Sequence, residues 1–171
     1  MRSGRRRPPV TPDPVGPGQE SVWSYPRPPR LEAVPERVTV ELGGELIADT
    51  TDVVRVLETS HPPVYYLPVD AFVAGSLRPA EGSSFCEYKG MASYVDVLGG
   101  GWVRERAGWA YPDPAPGFEA LRGRVAIYAG AMDRCTVAGE TVQPQPGGFY
   151  GGWITAAVVG PFKGVPGSVG W

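Results

Sequence analysis

At 171 residues the chain is the size of one domain rather than two, and its 24 Gly and 20 Pro exclude long helices in favour of short strands joined by many turns. With 42% hydrophobic and 20% charged residues it can build a core, while a net charge of −2 excludes bulk attraction to polyanions. No apolar run reaches the roughly 18 residues that span a bilayer, so membrane insertion through a helix is excluded too.

The segment over residues 1–30 is rich in proline and arginine and is read as a mostly disordered arm, with the stretch around Trp23 and Tyr25 lying extended on the domain surface. The start, Met1-Arg-Ser-Gly-Arg-Arg-Arg, has the charge of a signal peptide but no apolar stretch after it, which points to the cytoplasm. A β core is expected over residues 31–130. Val38, Val40 and Leu42 alternate with polar residues as a half-buried strand, Gly43-Gly44 turns the chain, and residues 45–49 return. Residues 52–58, with three valines, read as a strand. Thr59-Ser-His-Pro-Pro63 is a turn with His61 facing solvent, and residues 64–67 are a further strand. The chain then reads as irregular to about Ser84, apart from one helical turn capped by Asp70. Residues 93–97, 108–111 and 124–128 complete the strands, with a helical turn at 118–121. A Gly/Trp-rich extension over residues 131–171 is expected to pack on the core, with Trp153, Phe162 and Trp171 on a glycine-rich backbone as a lid or as an arm exchanged with a second copy in a homodimer.

Several uncommon residues recur in order: Val38-x-Val40, Ala48-Asp49, Glu58, Tyr66-x-Pro68, Cys86-x-x-Lys89-Gly90-x-Ala92-x-Tyr94, Trp109-x-Tyr111-Pro112-x-Pro114 and Val125-Ala126-x-Tyr128. Over about residues 36–130 this set resembles a bacterial family catalogued as domain of unknown function four hundred and twenty-seven, also filed under a nucleotidyltransferase-like label, in its longer form. The resemblance implies an all-β fold: two antiparallel sheets in a tent-like arrangement, similar to methionine sulfoxide reductase B and the ligand-binding domain of cereblon, with extended terminal arms. It implies little about activity. Many tent-fold relatives carry zinc on paired Cys-x-x-Cys motifs, and none occurs here. Two cysteines and one histidine fall short of a structural zinc set, so neither metal nor other cofactor is expected. The nucleotidyltransferase label lacks its chemistry as well, since no Asp-x-Asp triplet is present and Gly160-Pro-Phe-Lys163-Gly164 lacks P-loop spacing.

Candidate chemistry centres on Cys86-Glu-Tyr-Lys89-Gly90. A lysine beside a cysteine can activate the thiol. On a straight strand residues three apart face opposite ways, so the two meet only if Gly90 allows a turn; the alternative is a buried, inert cysteine. Lys89, Glu58 and Asp49 form either a charged constellation for proton transfer or a structural ion pair. Tyr66, Tyr94, Trp109 and Tyr111 form either the wall of a pocket for a flat or cationic ligand or part of the core. The Arg5-Arg-Arg7 run reads as a solvated tail, not a nucleic-acid patch.

The sequence therefore supports a small-molecule pocket between the two sheets, lined by Tyr66, Tyr94, Trp109 and Tyr111, with Cys86, Lys89 and Glu58 as catalytic candidates and no metal. The other reading is an interaction module that docks a protein partner through the tail, with an exposed apolar patch around Trp153 or Trp171.

Overall fold

The computed structural model describes residues 9–171, and the Arg5-Arg-Arg7 run lies outside the described residues. Among the described residues fifteen strands follow in chain order: β1 (Glu20–Ser21), β2 (Arg30–Val34), β3 (Val38–Leu42), β4 (Glu45–Thr50), β5 (Val53–Leu57), β6 (Val64–Pro68), β7 (Leu77–Cys86), β8 (Gly90–Gly99), β9 (Trp102–Ala110), β10 (Arg124–Ile127), β11 (Arg134–Val137), β12 (Glu140–Thr141), β13 (Gln143–Pro144), β14 (Trp153–Ile154) and β15 (Val158–Val159). Helical structure among the described residues is limited to single 3₁₀ turns, as expected where Gly and Pro are frequent. No helix among them is long and apolar enough to cross a membrane.

The fold is all-β. Seven strands form one antiparallel sheet in the order β2-β5-β6-β10-β9-β8-β7, and four form a second in the order β12-β11-β3-β4. Two ribbons tie down the ends: β1 runs parallel to β15, and β13 pairs antiparallel with β14. The main core lies between the two larger sheets. In β3 the expected alternation holds, with Val38, Val40 and Leu42 fully buried. They share a cluster with Ile47 of β4 and with Leu67, Val125 and Ile127 of the seven-stranded sheet. Burying a side chain of this size contributes about 1.5–3 kcal/mol relative to leaving it exposed.

Because successive side chains on a strand point to opposite faces, Tyr65 and Leu67 enter that core while Tyr66 between them does not. The same holds for Ala126 between Val125 and Ile127. Tyr66 and Ala126 belong instead to a second cluster with Val56, Trp109 and Tyr111 on the other face of the seven-stranded sheet. This places the aromatic candidates on the outer face of the sheet. The space between the two sheets is filled by side chains of the main core, aliphatic ones together with Tyr65, Phe72 and Trp153, so the aromatic candidates do not line a pocket there.

Three segments differ from the sequence expectation. The second half of the stretch expected to be irregular before Ser84, from Leu77 on, is the long strand β7, paired with β8 across a bulge between Pro79 and Ser83. The 3₁₀ turn Val69–Ala71 has Pro68 at its N-cap and no side-chain cap, so Asp70 is not the capping residue. The Trp23–Tyr25 stretch does not lie extended on the surface. Ser21 Oγ accepts from the Trp23 amide and starts a 3₁₀ turn, which leaves Val22 and Tyr25 buried against Leu57 and Val158. The Tyr25 hydroxyl donates to Glu20 at 2.8 Å, and Arg55 joins Glu20 and Glu32 at 2.8 and 2.6 Å, so the arm is clamped to β5.

Trp153 and Trp171 of the C-terminal extension pack against the rest of the fold, whereas Phe149 stays exposed. Trp153 is fully buried, stacks on Tyr65 with centroids 5.2 Å apart and donates its indole N–H to the Ile127 carbonyl at 2.9 Å. Trp171 packs edge-on against Trp23 at 5.3 Å. An exposed patch around Trp153 is therefore not present.

Candidate functional site

A cavity of about 340 Å³ opens on the outer face of the seven-stranded sheet. Its floor is aromatic. Trp109 donates its indole N–H to the Tyr66 hydroxyl at 3.3 Å, and the two rings meet nearly at right angles, 6.4 Å apart. Tyr111 lies 6.4 Å from Tyr66, and Tyr128 lies 4.7 Å from Trp109. Burial holds the Tyr66 hydroxyl neutral by raising its pKa well above the usual value, and burial raises Tyr111 as well. Both hydroxyls are thus protonated hydrogen-bonding groups near neutral pH.

One side wall is the turn joining β7 to β8. Gly90 has a φ of 108°, in the region open to glycine but strained for other residues, and pairs with Cys86 across the turn. The intervening residues Glu87–Lys89 fold back, so Cys86 and Lys89, which a straight strand would separate, both line the cavity. Lys89 Nζ sits 5.9 Å from the Tyr111 ring centroid. Cys86 is partly exposed, whereas Cys135 is buried in the main core, where burial pushes its thiol up to about 12. Tyr94, on β8, donates to Ser84 Oγ at 3.1 Å.

The polar end is built at the close of β5. Burial alone would raise the Glu58 pKa, but His61, Lys89 and Arg27 outweigh it and hold the carboxyl below the usual range. Nε2 of His61 and Nη2 of Arg27 each lie 3.4 Å from Glu58 Oε2. His61 corrects the sequence reading: it is buried, with 9% of its surface exposed, and lines the cavity instead of facing solvent. Its Nδ1 meets Gln145 at 3.1 Å, and its ring packs edge-on against Tyr150 at 4.8 Å.

All seven candidate residues, Glu58, Tyr66, Cys86, Lys89, Tyr94, Trp109 and Tyr111, border this one cavity. Asp49 does not. It pairs with Arg37 at 2.7 and 2.6 Å on the four-stranded sheet, so the Lys89–Glu58–Asp49 constellation is reduced to its first two members. Sequence reasoning missed His61, Gln145, Tyr150 and Lys163. The one available signal was scarcity, since the chain has a single histidine. Among the described residues no three His, Cys, Asp or Glu side chains converge as a metal ligand set.

A family profile described as a domain of unknown function (DUF427) matches residues 30–138. The chain belongs to the DUF427 family. No curated protein matches the sequence. The DUF427 segment carries the aromatic floor, Glu58, His61 and the Cys86–Lys89 turn. Gln145, Tyr150, Gly151 and Lys163 lie beyond it, so the C-terminal extension completes the DUF427 cavity from outside the matched segment. Gly151 fits closely over the floor: a Cβ there would run into the Trp109 indole.

Proposed function

We propose that this chain is a small-molecule-binding β domain, with the ligand held against Tyr66, Tyr94, Trp109 and Tyr111 on the outer face of the seven-stranded sheet. Glu58, Lys89 and Cys86 are the groups placed for chemistry on it. An ionised Glu58 oriented by His61 is suited to accept a proton from a bound ligand, and the partly exposed Cys86 thiol is suited to nucleophilic attack. No metal is required for either role.

The observation that carries this reading is convergence. Seven aromatic and polar residues from β6, β7, β8, β9 and the segments adjoining β5, β7 and β9 border one cavity of about 340 Å³, within the range of ligand pockets. Packing alone would fill such a space with side chains, as it does between the two sheets.

The test is a thermal-shift screen of a metabolite library against the full chain. A ligand at 100 times its Kd stabilises the fold by about 2.7 kcal/mol, a shift of a few degrees in Tm. At least one compound is expected to raise Tm in a concentration-dependent way, and the shift is expected to vanish in Tyr94→Ala, which alters a half-buried wall residue. The reading fails if no compound shifts Tm, or if the shift survives in Tyr94→Ala.

A further inference from the structure

The described residues include ten arginines. Eight of them lie within 4.0 Å of a carboxylate oxygen, and Arg104 donates Nε to the Ala131 carbonyl at 3.1 Å. Arg106 is the remaining one. Among the described residues its guanidinium has no carboxylate within that distance and makes no hydrogen bond; only its backbone amide is used. An exposed guanidinium can be solvated, so what matters is how firmly this one is placed.

The backbone places it at a cost. Arg106 has a φ of 50°, a region that side chains other than glycine rarely adopt. The cause is a bulge. Between the pairs Val95–Gly108 and Val97–Arg104, β8 has Asp96 alone where β9 has Glu105, Arg106 and Ala107. Buried Asp96 fixes the bulge: one carboxylate oxygen accepts the Arg106 amide at 2.9 Å, and the other accepts Arg78 Nη2 at 2.8 Å. Bulges re-aim side chains. Here the guanidinium carbon comes to lie 4.4 Å from the Tyr94 ring centroid. A Cβ at Gly82, on β7, would come within 3.0 Å of Arg106 Nη2, so the bare backbone of β7 leaves the group its seat. Glycine at position 106 would meet the backbone requirement without strain, so packing of the bulge alone does not account for an arginine there.

The guanidinium borders a second cavity, of about 700 Å³, again within the range of ligand pockets. It adjoins the first and shares with it Tyr94, Tyr128 and residues 149–151. Glu105 lines it as well, outside ion-pair distance of Arg106. Stacking on a ring uses the face of a guanidinium and leaves its N–H fork, which matches a carboxylate or phosphate bidentately.

We propose that Arg106 is an anion-binding residue: the ligand is an organic oxyanion whose carboxylate or phosphate meets the Arg106 guanidinium in the second cavity, with the rest of it lying along Tyr94 toward the aromatic floor. This deepens the pocket reading above and rests on it.

The test is an NMR titration of the full chain with benzoate and phenyl phosphate beside neutral benzamide and benzyl alcohol, read at the Arg106 Nε–Hε signal. At least one of the two acids is expected to move that signal saturably, more weakly at high salt, and the better of them tells carboxylate from phosphate; the neutral compounds are expected to leave it in place. Arg106→Gly is expected to weaken acid binding about tenfold or more, the loss of hydrogen bonds to a charged group, while melting no lower than the parent, because its φ suits glycine. Arg106→Lys keeps the charge without the fork and is expected to bind between the two. The assignment is overturned if neither acid moves the signal, if the neutral compounds move it as far, or if the acids bind Arg106→Gly as they bind the parent. The pocket itself is decided apart from this, by whether a hit of the metabolite screen loses its thermal shift in Tyr94→Ala.

Discussion

Nδ1 of His61 lies 3.1 Å from the side-chain amide nitrogen of Gln145. That amide is held in one orientation: its Oε1 accepts the Gly152 N–H at 3.0 Å, and its nitrogen donates to the Lys163 carbonyl at 2.9 Å. An NH₂ group facing Nδ1 makes Nδ1 an acceptor, so neutral His61 carries its proton on Nε2, directed at Glu58. The C-terminal extension thereby fixes the polarity of a pair that lies within the DUF427 segment. Since the chain has one histidine, its ¹⁵N–¹H spectrum is expected to show a single ring whose neutral form bears the proton on Nε2. Gln145→Glu, which puts an acceptor opposite Nδ1, is expected to move the proton to Nδ1. An Nδ1–H tautomer in the parent protein would refute the arrangement.

Glu58 gives a stability prediction whose sign follows from the same geometry. Its folded pKa is depressed by His61, Lys89 and Arg27 against the opposing effect of burial. A depressed carboxyl pKa contributes stability that is present above the ordinary glutamate value, about 4.3, and lost as pH falls through the folded value. The urea midpoint of the parent protein is therefore expected to fall more steeply on acidification below about pH 5 than that of Glu58→Gln. The difference curve is the measurement, because Asp49, Asp96 and Glu119 are also depressed and are present in both proteins. Parallel curves through the acid range would show that Glu58 is not stabilised as its carboxylate.

The reach of the sequence varies across the fold for physical reasons. β3 is legible because one face is buried and the other is not, so Val38, Val40 and Leu42 alternate. β7 is not, because most of its side chains are exposed and it contains Pro79 and Gly82, both poor strand residues. It persists as an edge strand held by β8, where a missing amide donor is tolerated. At the site, Cys86 and Lys89 were readable together because Gly90 signals a turn within four residues. His61 was not, because its partner Gln145 is 84 positions away and the surrounding Ser, Thr and Pro look like an ordinary surface turn. Tertiary cover from a distant segment, absent from any local pattern, decides that residue's environment.

Gly151 tests whether the extension is seated on the aromatic floor. The Trp109 indole occupies the space a Cβ would take at this position, and Trp109 is itself held by Tyr66 and Tyr128, so it cannot easily move aside. Gly151→Ala is expected to destabilise the protein by about 1–3 kcal/mol, the usual cost of overpacking, and to lift the Phe149–Gly151 segment so that Tyr128 loses its 3.0 Å hydrogen bond to the Phe149 carbonyl. Chemical denaturation gives the first quantity, and tryptophan fluorescence reports the exposure of Trp109. An alanine variant as stable as the parent, with unchanged emission, would mean that the extension does not rest on the floor.

The two cysteines separate the chemistry of the cavity from that of the core. Cys135 lies among Val40 and Val137, where burial pushes its thiol up to about 12, so at neutral pH it is protonated and shielded, and thiols react as thiolates. Cys86 borders the cavity and is partly exposed. Iodoacetamide applied to the folded protein near pH 7.5 is therefore expected to add one carbamidomethyl group per chain, on Cys86, as read by intact mass and peptide mapping. Denaturation in urea is expected to raise the count to two. A cavity ligand is expected to slow the first addition, since it would lie against the same turn that carries Lys89. If Cys86 stays unmodified in the folded protein while Cys135 reacts, the turn does not present its thiol to the cavity and the nucleophilic role proposed for Cys86 is lost, with Glu58 left as the group placed to act on a bound ligand.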